Sequence, residues 1–430
     1  MAALEVPGGT SSLRLARWRD GAVVAVAVVA AAAGFGQFGA VAALGTVASH
    51  FGHLTGGATL RDQAGLSGTE LGVGLAILRL ASLAGLPLAG AADRLGRRRT
   101  LLWCCAIGLA FTVAAAASPS YWWFVAIFAA GRPLLSATNA VAQVSCAELT
   151  STRDRAKAVA LVAAGYGVGA GVIAIVHGLA SSALGFRGIF LLAVVPLMLM
   201  PWYGRFVVET DRFVASEAAK THPIPVLGPI GASFRRRLGV VLALTFAVSI
   251  VTGPATSFFF LYAENVVGLS GPVVALLVAT AGLTGLAGLL GGRWLADHLG
   301  RRPTAAGSMV LIAVVAMVTY SGSRLAAALG YLAAVGAAST FAPAAGALSN
   351  ELFPTAVRAS VAGWQIAAGV LGATAGLLAF GAVADTGGRF ALASVVVFAV
   401  VIPAAGLFAF LPETKGKELE ELWGTPESGP

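Results

Sequence analysis

The sequence predicts an all-α membrane protein of twelve transmembrane helices in two pseudo-symmetric six-helix bundles. Three observations predict it. The 430-residue chain is 58% hydrophobic and 11% charged, with a mean hydropathy of +0.86, whereas soluble domains run at about 25% charged. Its apolar residues gather into runs of roughly 20, the length that crosses a bilayer. Two stretches 204 residues apart, Gly90-Ala91-Ala92-Asp93-Arg94-Leu95-Gly96-Arg97-Arg98 and Trp294-Leu295-Ala296-Asp297-His298-Leu299-Gly300-Arg301-Arg302, repeat one pattern. Each ends one apolar run and begins the next, so the chain reads as a tandem duplication of a membrane unit.

The spans fall at about 21–49, 69–90, 101–118, 121–146, 158–183, 187–207, 238–264, 272–294, 305–322, 325–349, 359–384 and 389–411. Arg14, Arg17 and Arg19 precede the first run as in a signal peptide. No charge follows between Asp20 and Arg61, however, and the apolar stretch far exceeds a signal core of roughly 7–15 residues, so it reads as span 1. Residues 208–237 form the long polar segment, with Asp211, Glu217, Lys220, Thr221, His222 and Arg235-Arg236-Arg237. The expected organisation is an N-tail (1–20), a first bundle (21–207), a linker (208–237), a second bundle (238–411) and a C-tail (412–430).

Basic residues orient the spans. Arg61, Arg187, Arg324 and Arg389 fall in loops of one side, Arg79 and Arg132 fall inside spans, and the remaining cations lie on the other side. That side is cytoplasmic by the positive-inside rule, with both termini on it. The expected location is the plasma (inner) membrane. The duplication continues past the loops. Glu148 and Arg155 are echoed by Glu351 and Arg358, Glu209-Thr210 by Glu413-Thr414, and Gly185-Phe186-Arg187 by Gly388-Arg389-Phe390.

These residues resemble the major facilitator superfamily. Its loop between helices 2 and 3 carries the glycines, aspartate and arginine cluster found here as Gly90, Asp93, Arg94, Gly96, Arg97 and Arg98, and again as Asp297, Gly300, Arg301 and Arg302. Glu351-Leu352-Phe353-Pro354-Thr355-Ala356-Val357-Arg358 resembles the family's loop between helices 10 and 11. Leu411-Pro412-Glu413-Thr414-Lys415-Gly416 resembles the end signature of its sugar, organic-ion and metabolite transporters. The likeness covers about residues 20 to 420. Departures are Ala89 and Arg293 where a glycine is usual, His298 as the second basic residue, and a fifth span, Gly165-Tyr166-Gly167-Val168-Gly169-Ala170-Gly171, without the proline common in drug–proton antiporters.

A tight turn between membrane helices needs glycine where φ is positive, and arginines keep the loop in water. An aspartate is favoured against a helix N-terminus by roughly 0.3–1 kcal/mol. The resemblance implies that this partner is the start of span 11, near Ala359 and Ser360, and that Arg97 pairs with Glu148. Together with Arg155, Asp297, Arg301, Arg302, Glu351 and Arg358, these residues would latch the halves on the cytoplasmic side in the outward-open state. The plainer reading is a solvated basic loop that sets topology alone.

Arg79 and Arg132 lie mid-span, where an arginine costs about 2.5–3.5 kcal/mol even on the lenient insertion scale. Such residues face a cavity or a partner. Arg132 also resembles the superfamily's helix 4 arginine, tied to proton coupling. All 19 acidic residues fall in loops or near span ends, with Glu70, Glu264 and Asp385 near the outer face, so no carboxylate neutralises the pair. The functional reading is an anionic substrate held by Arg79 and Arg132. The structural reading pairs them with carbonyls, hydroxyls or amides such as Asn139 and Gln143. Further polar groups in apolar spans are Gln37, Asn139, Tyr166, Thr252 and Gln365. By resemblance, spans 1, 4, 7 and 10 line the cavity, which ranks Gln37, Asn139 and Thr252 first. His177, Glu264 and Asp385 are the remaining titrating candidates for proton coupling.

Cys104, Cys105 and Cys146 read as small core residues. The Tyr121-Trp122-Trp123 and Trp202-Tyr203 runs read as interfacial anchors. Gly282, Gly285, Gly288, Gly291 and Gly292 read as a small-residue face packing between the halves. The net charge of +9 lies in short loops, which argues against nucleic-acid binding. No phosphate loop, histidine pair, metal cluster or nucleophile elbow appears, so no enzyme, ATP-driven pump, metal or cofactor is expected. The expected function is a monomeric secondary transporter, held in the lipid bilayer, that moves a small solute, on the functional reading an organic anion, by alternating access with proton coupling. A drug or metabolite efflux antiporter, an uncoupled facilitator and a transporter-like sensor are the alternatives; the tail after Pro412 is too short for a sensor's added domain.

Overall fold

The computed structural model describes residues 16–54, 60–210, 213, 227–387 and 389–423. Residues 1–15 of the expected N-tail, residues 211–212 and 214–226 of the expected linker and residues 424–430 lie outside them. Among the described residues the chain is helical, with one isolated bridge between Ala16 and Thr150. Backbone groups in hydrocarbon have no water to bond, so each span must satisfy its own.

Eleven described helices are long and apolar enough to cross a membrane. Those of the first half are α1 (Gly21–Ala42), α2 (Gly68–Leu95), α3 (Arg97–Ala117), α4 (Tyr121–Leu149) and the helix Thr152–Leu191. That last helix runs 40 residues, about 60 Å, twice the ~30 Å hydrocarbon layer. It breaks at Gly185, where φ is +58°. The two parts are α5 (152–184) and the start of α6, which turns at 192–193 and continues as Val194–Gly204. The second half holds α7 (Ala232–Ser257), α8 (Gly271–His298), α9 (Arg301–Thr319), α10 (Arg324–Leu352), α11 (Thr355–Gly387) and α12 (Phe390–Phe410). The fold is the expected twelve-helix arrangement.

Several boundaries differ from expectation in one direction. α3 begins at Arg97 rather than near 101, and α5 at Thr152 rather than near 158. The basic clusters are therefore first turns of helices, because long cationic side chains can reach water from a helix end. Each half also buries aromatic rings at the end opposite the arginine clusters. Phe124, Phe128, Phe186 and Phe190 pack in the first. Phe258, Tyr320, Phe380, Phe390 and Phe398 pack in the second.

The halves meet along a seam where small residues allow close approach. A Cβ at Gly72 (α2) would lie 2.6 Å from the Leu377 carbonyl of α11, and one at Gly178 (α5) 2.5 Å from the Gly271 carbonyl of α8. Both contacts lie toward the end opposite the arginine clusters. The glycine face of α8 serves another purpose than expected. Gly288 and Gly292 abut the backbone of Gly336 and Thr340 on α10, inside the second half, whereas Gly282 and Gly291 meet nothing within 4 Å. The pitch of α8 turns those two away from α10. The aromatic anchors also divide. Trp122, Trp123 and Trp202 are exposed at helix ends, while the Tyr121 and Tyr203 hydroxyls turn inward and donate to the carbonyls of Glu70 and Pro196. The three cysteines are free and buried.

Gly288→Leu should lower the detergent melting temperature by several degrees, because overpacking a tight contact costs about 1–3 kcal/mol. Gly291→Leu, entering open space, should stay within roughly 0.5 kcal/mol of the parent. Equal losses in both variants, measured by scanning fluorimetry, would contradict this packing.

Candidate functional site

The two repeated motifs build matching knots at the arginine-rich end. Gly96 and Gly300 carry φ of +94° and +115° and start α3 and α9. The positive φ answers the turn, and a Cβ there would also strike a carboxylate, Glu209 at 2.6 Å or Glu413 at 2.7 Å. Glu209 accepts from the backbone N–H of Arg97 (2.8 Å) and Arg98 (3.2 Å). Glu413 accepts from those of Arg301 and Arg302, each at 3.0 Å, and of Thr414 and Lys415. Each carboxylate thus caps a helix N-terminus, where unpaired N–H groups and the helix dipole favour an anion. Burial alone would raise the Glu413 pKa, but the four N–H donors overcome it and hold the carboxyl below its ordinary value.

Arg97 ties the first knot together. It pairs with Asp93 and makes a two-pronged contact with Glu148 at 3.0 and 3.2 Å. Thr210 donates to the same Glu148 carboxylate at 2.7 Å. The second knot is looser. Arg301 lies 3.3 Å from Glu351 and 3.8 Å from Asp297, and the Thr414 hydroxyl is buried without a hydrogen bond. Arg98 and Arg302 bond the carbonyls of Val207 and Leu411. Arg155 and Arg358 do not join Glu148 and Glu351; they donate to the carbonyls of Ala147 and Phe353, closing the ends of α4 and α10. In this conformation Arg97 of its own half holds the Asp93 carboxylate; the expected placing of Asp93 against Ala359 and Ser360 belongs to the state in which the arginine-rich ends meet. Arg94 sits in the last turn of α2, exposed.

At the opposite end polar contacts cross the seam. Asp385, near the end of α11, accepts from the N–H groups of Gly68 (2.6 Å) and Thr69 (2.7 Å) at the start of α2. His177 of α5 lies 3.6 Å from Glu264, just beyond α7. Asn265 donates to the Gln63 carbonyl. Between described residues of the helix bundle, the polar contacts at the arginine-rich end stay within one half. The seam is closed at one end and splayed at the other.

Between the ends lies a cavity of about 360 Å³, lined by Arg79 of α2, Ser249, Thr252 and Thr256 of α7, and Gly369 and Ala373 of α11. Among the described residues the Arg79 guanidinium makes no hydrogen bond or ion pair, and no carboxylate lines the cavity. Ser82–Ala84, directly after Arg79, tightens to a 3₁₀ turn, a common mark of a hinge within a helix. Arg132 is buried and donates to the Gln37 carbonyl at 2.9 Å; its Nε has no partner. Tyr166 donates to the Gln37 side chain (2.7 Å), whose amide donates to Ser136 (3.0 Å).

Sequence-expected residues therefore separate into groups. Arg79 and Thr252 face the cavity. Arg132, Gln37 and Tyr166 form a network beside it, in which the backbone carbonyl of Gln37, not Asn139 or Gln143, receives Arg132. The Asn139 side-chain oxygen is buried without a hydrogen bond. Gln365 lies apart, accepting from Ser349 in a cavity of about 300 Å³ within the second half. Sequence reasoning did not single out Ser136, Ser249 or Thr256, and it read Asp385 as a titrating group rather than as a cap on α2. Serine and threonine are too common in apolar helices to stand out, but the Glu209–Glu413 repeat was a usable signal for the capping carboxylates.

Comparison with known proteins agrees with this architecture. The sequence profile of the Major Facilitator Superfamily matches residues 25–294 and 265–428. A Cupriavidus pinatubonensis protein named "Probable 4-methylmuconolactone transporter" is 26% identical over 376 residues, covering 83% of this chain and 85% of that one. The inward open xylose transporter XylE from E. coli superposes with a TM-score of 0.69 at 20% identity, over 93% of this chain and 98% of that chain. The human organic anion transporter MFSD10 gives 0.64 at 17% identity, over 90% and 99%.

Glu413→Gln should lower the melting temperature by a few degrees at neutral pH. A carboxylate with a depressed pKa stabilises the fold above its ordinary range of about 4.3 and loses that contribution as pH falls through the depressed value. The gap between parent and variant should therefore close on acidification below that range. A gap independent of pH would show that the cap contributes nothing through its charge.

Proposed function

The chain belongs to the major facilitator superfamily, and on that premise we propose that this multi-pass membrane transporter carries a small organic anion by secondary active, proton-coupled alternating access. The observation that carries the reading is Arg79, whose guanidinium has no partner among the described residues and lines a seam cavity on which no described carboxylate lies. A cation at that depth is expensive unless water or a ligand meets it, and an anion would supply the missing charge. Ser249, Thr252 and Thr256 offer hydroxyls on the facing wall, and the Arg132–Gln37–Tyr166 network holds a second positive charge behind the first. The relative named for 4-methylmuconolactone supports a small organic solute.

In this proposal the bundles run 21–207 and 238–411 and work as rigid halves joined by the 208–237 linker. The positive-inside rule orients the arginine-rich end, and with it both termini, to the cytoplasm. The splayed end then faces the cytoplasm and the conformation is inward-open. The outward-open state requires the arginine-rich ends to meet. Asp93 and Asp297, now held within their own halves by Arg97 and Arg301, are the acids free to trade partners there, so the motif residues act as a latch in that state. Proton coupling would offset the charge of an entering anion.

Reconstituted into liposomes, the protein should take up a radiolabelled small organic acid, and a pH gradient should drive its accumulation. Arg79→Gln should reduce uptake at least tenfold, since a hydrogen bond to a charged group contributes about 1.5–3 kcal/mol and 1.4 kcal/mol is a factor of ten. Transport indifferent to substrate charge would remove the anion reading. Anion flux that never exceeds equilibration under a pH gradient would make the protein a facilitator.

A further inference from the structure

The closed end of the seam holds a titratable cluster that the transport site does not use. His177 is 0% exposed and Glu264 is 18% exposed, and they sit on opposite halves 3.6 Å apart, Nδ1 to Oε1. Both of these atoms are buried and lack a hydrogen bond. The other ring nitrogen, Nε2, lies 2.7 Å from the Thr46 hydroxyl. An imidazole nitrogen and a carboxylate oxygen facing each other take one hydrogen between them, from the Nδ1–H tautomer of the neutral ring or from an added proton, and only the added proton also cancels the carboxylate's charge.

We propose that Thr46, His177 and Glu264 form a proton-binding latch: one proton shared by His177 and Glu264 holds the closed end of the seam together, and its loss frees the halves. The direction follows from charge. Without the proton the cluster is a neutral imidazole and a carboxylate, one uncompensated negative charge in the closed seam. With it the cluster is neutral overall, and Thr46 accepts from the second N–H of the imidazolium. Closure removes the cluster from water and so favours the neutral form.

Most of the surrounding charged and titratable groups among the described residues are engaged elsewhere. His50, on the stretch that continues α1, packs on Phe51 and Phe186. Arg187 lies over the Phe186 ring, and Arg324 donates to the Val267 carbonyl. Tyr262 accepts from the Gly322 N–H. Arg61 and Asp62 sit on the short helix Leu60–Ala64, packed against the Glu264 turn. The start of α8 brings only Gly271 and apolar residues. Among the described residues the one ion-pair partner of Glu264 is His177. Asp385 is engaged elsewhere on the seam by Gly68 and Thr69.

The cluster stands at the closed end, away from the cavity lined by Arg79. It therefore serves as an effector site that senses the proton rather than one that hands it across. The inference does not depend on the substrate being an anion or on transport being proton-driven.

Spin labels at positions 182 and 321, on the closed-end surfaces of the two halves, test it by double electron–electron resonance on the full chain in nanodiscs. The three buried cysteines are first replaced by alanine. The closed-to-open ratio should fall as pH rises from about 5.5 to 8.5, by at most about tenfold per unit for one proton. Glu264→Gln should abolish the trend, and Asp385→Asn should favour opening at every pH while keeping the midpoint. Thr46→Val, which removes the acceptor for the imidazolium, should move the midpoint to lower pH and serves as the test should Glu264→Gln not fold. A flat parent profile, a trend that survives Glu264→Gln, an unmoved midpoint in Thr46→Val, or a trend lost in Asp385→Asn would overturn the latch.

Discussion

No water reaches the hydrocarbon interior, so every backbone group and every charge placed there must find its partner within the protein. That constraint governs the whole chain. It makes each crossing a helix, and it sends the carboxylates to the ends of the spans. There Glu209, Glu413 and Asp385 each meet backbone N–H groups at a helix start. It also isolates Arg79, whose guanidinium has no partner among the described residues. The other mid-span arginine, Arg132, donates to the Gln37 carbonyl, so the unpartnered guanidinium on the cavity is where a solute can contribute.

The same constraint divides strong from weak contacts. Within each half, a carboxylate caps α3 or α9 and an arginine ties three segments together, as Arg97 does with Asp93 and Glu148. Across the seam the contacts are fewer and shorter in reach. They include glycines allowing backbones to touch, a small apolar cluster of Val41, Ala42 and Ala174 with Phe259, Phe260 and Val274, the Asn265–Gln63 hydrogen bond, Asp385 at the start of α2, and a buried histidine facing a glutamate. Two stiff halves joined by a light seam can rock, and in this conformation the seam closes at the end away from the arginines.

Much of this was legible in the sequence because the signals were long or repeated. Apolar runs gave twelve spans, and the break at Gly185 resolves the single 40-residue helix into two of them. The duplicated Asp-x-x-Gly-Arg-Arg pattern gave the turns at Gly96 and Gly300, and mid-span depth singled out Arg79. What failed depended on side-chain direction. Which face of α8 meets α10 could not be read from glycine spacing alone, so Gly288 and Gly292 were assigned to the seam. Arg155 and Arg358 stand near Glu148 and Glu351 in sequence, yet carbonyls at helix ends compete for them and win. Gln37 entered the site list for its amide, while Arg132 is held by its backbone carbonyl, an interaction that leaves no trace in residue type. Asp93 could not be placed because its partner depends on which end of the seam is open.

The central claim is that the splayed seam holds an anion against Arg79. A structure of the protein determined by cryo-electron microscopy with a transported organic acid bound tests it most directly. An acidic oxygen is expected within hydrogen-bond distance of the Arg79 guanidinium, between α2, α7 and α11. A ligand seated instead in the cavity beside Gln365, with Arg79 untouched, would contradict it.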